Sequence, residues 1–181
     1  VRPFYNALNF LWDARLESKL VVRESGKEIF KVLDYGKLVR MRASTFEIKE
    51  PETLSWIKGF DPKDNLLDIG ANIGIYSLYA AYRGINVTSI EPDALNYALL
   101  NLNIRLNNFG GKIVPYCVAI HDKRKFSKFN ISSNCWGGAL NSFDNSFDYK
   151  GEIFRPIHSQ GVFGIDLDSF IDVLQSIPNH L

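Results

Sequence analysis

Four residues in the middle of the chain have types and spacing that could do chemistry: Asp68, Gly70 and Gly74 in LLDIGANIG, and Glu91 in SIEPD. An apolar run ending in an acid, then two glycines four residues apart, then a helix-like stretch is how a buried parallel strand turns sharply into a helix. Such a turn leaves backbone N–H groups at the helix start without helical partners. Gly70 removes the Cβ that would keep a ligand off the backbone, and Gly74 lets the helix pack closely on the strand. Glu91 ends the next strand-like run, about 20 residues beyond Gly70, where an acid can accept both hydroxyl protons of a ribose. Alone, the glycines would suit a tight turn with no ligand, and Glu91 an ordinary helix-start acid. Together they predict a site for a nucleotide-like ligand beyond the carboxyl ends of the strands.

The turn also discriminates between ligands. A dinucleotide turn wants Gly-x-Gly-x-x-Gly so that the backbone can approach a pyrophosphate. Counted from Gly70, this chain has Asn72 and Ile75 where the other two glycines belong. Asp68 beside the turn would repel a pyrophosphate and suits a ligand carrying an ammonium group. S-adenosylmethionine has that ammonium, a ribose and an adenine, and no phosphate. A nicotinamide-dependent oxidoreductase is the competing reading, weakened by the missing glycines.

The elements that must position these residues follow from periodicity. Phe4, Leu8, Leu11, Trp12 and Leu16 predict an amphipathic helix over 3–19, and EIFKVLDYGKLVRMR predicts two strands around the turn Asp34-Tyr35-Gly36. Residues 50–59 read as a short helix with Pro51 in its first turn and Gly59 at its end. From there the units alternate: strand NLLDI, helix 72–83, strand NVTSIE, and a helix with Leu95, Ala98, Leu99, Leu102 and Leu106 on one face. The strand KIVPYCVAI follows. That order predicts a parallel α/β sheet. Residues 127–160, rich in Asn, Ser, Gly, Asp and Phe, read as a long flap or as irregular strands. GVFGIDLDSFIDVLQSI then reads as a strand leading into a helix capped by Asp168 or Ser169.

The segments LLDIGANIGIYSLYAA, VTSIEPDALNYALLNLNI and VPYCVAI, in that order, resemble a class I S-adenosylmethionine-dependent methyltransferase of the FkbM type. TFEIKEPETLSWI upstream and GIDLDSFI downstream are also similar to that family, so the resemblance spans about residues 40–181. It implies a Rossmann-like class I methyltransferase sheet; with the N-terminal helix and hairpin read above, the chain divides into an N-terminal part over 1–59 and a cofactor-binding domain over 60–181. It implies S-adenosylmethionine as cofactor, with Asp68, Gly70, Ala71, Asn72 and Gly74 along its methionine part and Glu91 at the ribose, beside Pro92 and Asp93. Val118 and Ala119 would flank the adenine, and Glu50 would return to the cofactor. The acceptor class it implies is a hydroxyl on a sugar or natural-product-like small molecule. The family's next strand and its acidic stretch are absent after SIPNHL, so the sheet is expected to be cut short after the third or fourth βα unit. The edge of NLLDI would then be open to a partner or a second copy of the chain. A non-catalytic binding module or subunit is the alternative from a different class.

Candidates for a catalytic base are thin. His121 follows the third strand, and His158 lies in the flap region; a loop histidine is more often solvated than functional. Asp166 and Asp168 could hold a metal but suit a helix cap better, so no metal site is expected. Trp136, Phe143, Phe147 and Tyr149 could wall an acceptor or pin a long loop; the second is preferred. The 181 residues are 46% apolar, enough for one sizeable core, and carry a net charge of +1. Without a basic field, neither nucleic acid nor a membrane surface is an expected partner. The run DKRKFSK at 122–128 reads as a solvated loop. Cys117 and Cys135 match no zinc or disulfide spacing, and the compartment expected is the reducing cytoplasm.

Overall fold

The computed structural model describes residues 18–147 and 150–176, and the helix expected from residue 3 falls, but for its last two residues, outside that range. The chain enters through a hairpin of β1 (Lys19–Glu24) and β2 (Lys27–Leu33), in antiparallel register from Lys19 opposite Leu33 to Glu24 opposite Lys27. Its two-residue loop holds Ser25 at φ 48° and Gly26 at φ 79°, the positive pair whose twist matches that of the strands. The turn expected at Asp34–Gly36 instead opens a helix, α1 (Lys37–Ser44). Asp34 accepts from the Gly36 N–H at 3.1 Å and from Arg40 Nε at 2.8 Å, closing the chain locally, and Val39 is buried by helical rather than strand geometry. A single turn, α2 (Phe46–Lys49), leads to α3 (Pro51–Lys58), which has Pro51 at its start and Gly59 at its end as expected.

The parallel sheet runs β3 (Asn65–Ile69), β4 (Asn86–Ile90), β5 (Ile113–Tyr116), in that spatial order, with Asp68 opposite Ser89 and Ile90 opposite Tyr116. Among the described residues β3 pairs with β4 alone, and Ile69 is 48% exposed. Helices α4 (Ile75–Tyr82) and α5 (Ala94–Leu106) make the crossovers. α4 starts three residues later than expected because Asn72 and Gly74 hold φ of 55° and 90°. The buried face of α5 is also not the expected stripe of Leu95, Ala98, Leu99, Leu102 and Leu106: Asn96 and Asn103 are buried with Leu99, Leu100 and Ile104, Ala98 is exposed, and Leu95 is 48% exposed. The amides explain it. Asn103 Oδ1 accepts from Leu33 N at 2.9 Å, Asn107 Oδ1 from Lys31 N at 2.8 Å, and Asn107 Nδ2 donates to Lys31 O at 2.7 Å. Helix side chains thus supply backbone partners to β2, where a further strand would otherwise be needed. The hairpin, α1 to α5 and the parallel strands share one apolar cluster centred on Leu33, Leu78, Tyr79, Leu99 and Leu100.

The strand expected over 112–120 breaks at Cys117-Val118: Tyr116 O accepts from Glu91 N at 3.0 Å, and the chain then joins a second sheet. That sheet runs β6 (Ala119–Ile120), β9 (His158–Ile165), β7 (Lys125–Ile131), β8 (Ser142–Phe143) in spatial order. β7 and β9 pair antiparallel from Lys125 opposite Gly164 to Ile131 opposite His158, so the basic run is largely strand rather than loop. Helix α6 (Leu167–Ser176) follows β9, with Asp166 rather than Asp168 or Ser169 as its cap, accepting from Ser169 N at 2.8 Å. Trp136 meets Tyr35 with ring centroids 4.6 Å apart and planes tilted by 50°, and Phe143 packs in the second sheet, both pinning chain; Phe147 is half-exposed, and Tyr149 lies outside the described residues. Among the described residues no helix is long and apolar enough to cross a membrane.

Candidate cofactor site

The turn after β3 uses its own amides. Gly70 N and Ala71 N both donate to Ile90 O, at 2.8 and 2.9 Å, and Gly74 N donates to Ala71 O at 2.8 Å. Asn72 N donates to Glu91 Oε2 at 2.7 Å, and Ile73 N to Asn72 Oδ1 at 3.0 Å. Five consecutive N–H groups therefore have internal acceptors, where the sequence had suggested outward-pointing donors. This turn is not a nest for a phosphate.

The two glycines differ in purpose. A Cβ at Gly70 would meet nothing within 4 Å, so this position, at φ 79°, faces open space. A Cβ at Gly74 would fall 2.4 Å from Leu100 Cδ1. Gly74 therefore serves the packing of the turn against α5 rather than against its own strand.

Glu91 is 5% exposed, and its two oxygens accept from Asn72 N and from Asp93 N at 2.9 Å. Burial pushes its pKa up to about 7, against the two backbone bonds, with Asp93 and Asp68 adding to the rise. Each oxygen keeps capacity for one more hydrogen bond. Asp93 caps α5, accepting from Leu95 N at 2.9 Å. At the end of β3, Asp68 accepts from Ser77 Oγ at 2.5 Å, and Ser77 Oγ meets Ser89 Oγ at 2.7 Å. Burial raises the Asp68 pKa, and the Ser77 bond opposes the rise.

Two clefts meet at Gly70 and Asn72. One, of about 310 Å³, is bounded by Arg42, Glu50, Asp68, Ala71 and Tyr76. The other, of about 270 Å³, is bounded by Glu91, Pro92, Asn96, Leu140 and Asn141. Eight of the expected residues thus come together: Glu50, Asp68, Gly70, Ala71 and Asn72 line these clefts with Glu91 and Pro92, and Gly74 supports them from behind. Asp93 stands beside them through its bonds to Glu91 and to Asn141 Nδ2, the latter at 3.1 Å. Val118 and Ala119 are not in either lining: Val118 packs against the cluster of Ile90, Ile165 and Phe170, and Ala119 belongs to the cluster of Phe129, Ile131 and Val162. The preceding residue is nearer, with Cys117 Sγ 3.9 Å from Pro92 O and its pKa raised by burial, then by Glu91 and Asp93. His121 lines neither cleft; its Nε2 is 2.8 Å from Asp122 and its ring meets Phe143 edge-on. Among the described residues no group of three or more His, Cys, Asp or Glu could hold a metal.

Sequence reasoning missed the loop between β7 and β8. Gly138 O accepts from Asn72 Nδ2 at 2.6 Å and from Asn96 Nδ2 at 2.9 Å, while Gly137 N donates to Asn96 Oδ1 at 2.9 Å. Arg42 Nε and Nη2 donate to Gly137 O at 3.0 and 2.8 Å. Gln160 holds the other side of the helix start, donating to Pro92 O at 2.5 Å and accepting from Ala94 N at 3.1 Å. The loop is therefore fastened along the rim of the Glu91 cleft. Only its Gly-Gly pair and the asparagines of α5 hinted at this.

The family described as the Methyltransferase FkbM domain matches residues 68–172, which span this turn, both crossovers and the second sheet. No curated protein matches the chain. Among solved structures the chain is similar to Pyrococcus horikoshii TYW2 in complex with MeSAdo, at 22% identity and a TM-score of 0.39 over 57% of this chain and 37% of that one. It is also similar to the M. jannaschii tRNA m1G37 methyltransferase, at 19% and 0.39 over 60% and 36%, and to aTrm5 in complex with tRNALeu, at 18% and 0.38 over 60% and 33%. The aligned part of this chain thus spans between 33% and 37% of the length of those proteins. The expectation that nucleic acid is no partner is corrected by these likenesses. Structures described as acting on tRNA or holding it are among those the chain resembles, and a small net charge does not exclude that substrate class.

Proposed function

The chain belongs to the FkbM methyltransferase domain family, and on that premise we propose that it transfers a methyl group from S-adenosylmethionine to a hydroxyl on a sugar or natural-product-like small molecule. The observation that carries the cofactor reading is the turn itself: five spent amides beside two buried or half-buried acids suit a nucleoside with positive groups and no phosphate. The residues fit that group. Glu91 has acceptor capacity for ribose hydroxyls, Gly70 leaves the approach open, and Asp68 and Glu50 offer negative charge to an ammonium. When bound, the cofactor supplies a methyl on a sulfonium, a leaving group that needs no further activation. The chain's part is to align and to exclude water. The loop over 133–141, fastened through Arg42, Asn72 and Asn96, would cover one side of the nucleoside, and Glu91 would fix the ribose. The family's link to hydroxyl methylation supports the acceptor class. A reducing cytoplasmic setting belongs to the same reading, in keeping with the free thiols of Cys117 and Cys135.

The acceptor is tested by incubating the chain with methyl-labelled S-adenosylmethionine and separate panels of free sugars, glycosylated natural products and tRNA. Label in a hydroxyl of the first two panels is the expected result. Label in tRNA alone would overturn the acceptor proposal and leave the cofactor site standing.

A further inference from the structure

The cleft beside Asp68 has an uneven set of charges. Glu50 and Asp68 line it, Glu91 stands past the Asn72 corner, and among the described residues one cation, the guanidinium of Arg42, faces them. Arg42 is half-buried and spends Nε and Nη2 on a single carbonyl, that of Gly137, at 3.0 and 2.8 Å. A guanidinium has five donors in a rigid fork, so three remain. Burial lowers the pKa of Arg42, opposed first by Glu91 and then by Tyr76 and Glu50, whose side chains bond each other. Lys49 lines a neighbouring depression but not this cleft, and its ammonium lies 3.7 Å from Glu50.

S-adenosylmethionine has the complementary set: a sulfonium, an ammonium and one carboxylate. Its single negative group needs the cleft's single cation, and its two positive groups suit the surplus of acids. We propose that the Arg42 corner is an amino-acid subsite, in which Arg42 binds the α-carboxylate of the methyl donor and Glu50 with Asp68 receives the α-ammonium. The assignment rests on the cofactor reading above and adds a residue to it. It also gives Arg42 a second duty. One guanidinium would hold both the ligand and the Gly137 carbonyl, so the loop over 133–141 and the amino-acid end of the cofactor would be secured by the same side chain.

The test is calorimetric titration of the chain, Arg42→Met and Arg42→Lys, with S-adenosylhomocysteine and with S-adenosyl-3-thiopropylamine, which lacks only the carboxylate. A charge-assisted, two-donor contact predicts that the unsubstituted chain prefers the carboxylate-bearing ligand by about 10–100-fold. Arg42→Met should lose that preference, any weakening from the freed loop being common to both ligands, and Arg42→Lys should keep part of it. Equal weakening of both ligands would overturn the proposal, since Arg42 would then act only through the loop. So would an unsubstituted chain that does not distinguish the two ligands, a result independent of how any variant folds. An unsubstituted chain that binds neither ligand would overturn the cofactor reading itself.

Discussion

Replacing Gly74 by alanine separates packing from ligand access, because Gly70 offers the matched control. At Gly74 the new Cβ would stand 2.4 Å from Leu100 Cδ1, and Leu100 is fully buried, so its methyl cannot swing away without displacing its neighbours. Overpacking of this kind costs about 1–3 kcal/mol. A non-glycine residue at φ 90° adds about 1–2 kcal/mol. The sum, about 2–5 kcal/mol, is a large share of a typical folding free energy of about 5–15 kcal/mol. With a urea slope of roughly 2 kcal/mol per M, the unfolding midpoint should fall by about 1–2.5 M. At Gly70 the φ is 79° but a Cβ meets nothing within 4 Å, so Gly70→Ala should cost only the backbone part, about 1–2 kcal/mol. Its larger effect should be on S-adenosylhomocysteine affinity. Urea denaturation of the three proteins side by side decides the matter. A Gly74→Ala midpoint no lower than that of Gly70→Ala would refute the packing role given to Gly74.

Asn103→Ala removes the acceptor of Leu33 N and the donor to Ile73 O, both inside the core, and should lower stability by about 2–3 kcal/mol in thermal or urea unfolding. Asn96→Ala should speed amide hydrogen exchange across residues 133–141 while leaving β3, β4 and α5 protected, because Gly137 and Gly138 lose that anchor. Glu91 makes the ligand-free chain less stable as pH rises. Its folded pKa of about 7 lies above the ordinary 4.5, so its contribution is greatest below that ordinary value and is lost between the two. The loss should approach roughly 3 kcal/mol at 1.36 kcal/mol per unit, and Glu91→Gln should flatten the profile between about pH 4.5 and 7.

The ligand end of the sheet was the most legible part of the sequence, because Asp68, Gly70 and Glu91 are fixed by the ends of consecutive strands and need only local spacing to be read. Glu50 could be placed only by resemblance, since helix α3 and its neighbours bring it to the cleft through tertiary packing. The hairpin was misplaced for a different reason. Asp34-Tyr35-Gly36 is a good turn by composition, and nothing local says that Asp34 will instead take the Gly36 amide and Arg40 to start a helix. The polar face of α5 was hidden because apolar periodicity cannot count Asn96 and Asn103 as interior residues. Their burial depends on backbone partners 70 residues upstream for Asn103 and 41 to 42 residues downstream for Asn96. The loop over 133–141 follows the same rule. Its backbone groups, not its side chains, meet Arg42, Asn72 and Asn96, and a backbone group leaves no mark in a sequence.

The central claim is that the groove around Gly70 and Glu91 holds S-adenosylmethionine. Its most direct test is calorimetric titration of the chain with S-adenosylhomocysteine, with NADH in parallel and Glu91→Ala as the control. The account predicts roughly micromolar binding of the homocysteine ligand, lost in Glu91→Ala, and no binding of NADH. Binding of NADH in its place, or homocysteine-ligand binding that survives unchanged in Glu91→Ala, would contradict it.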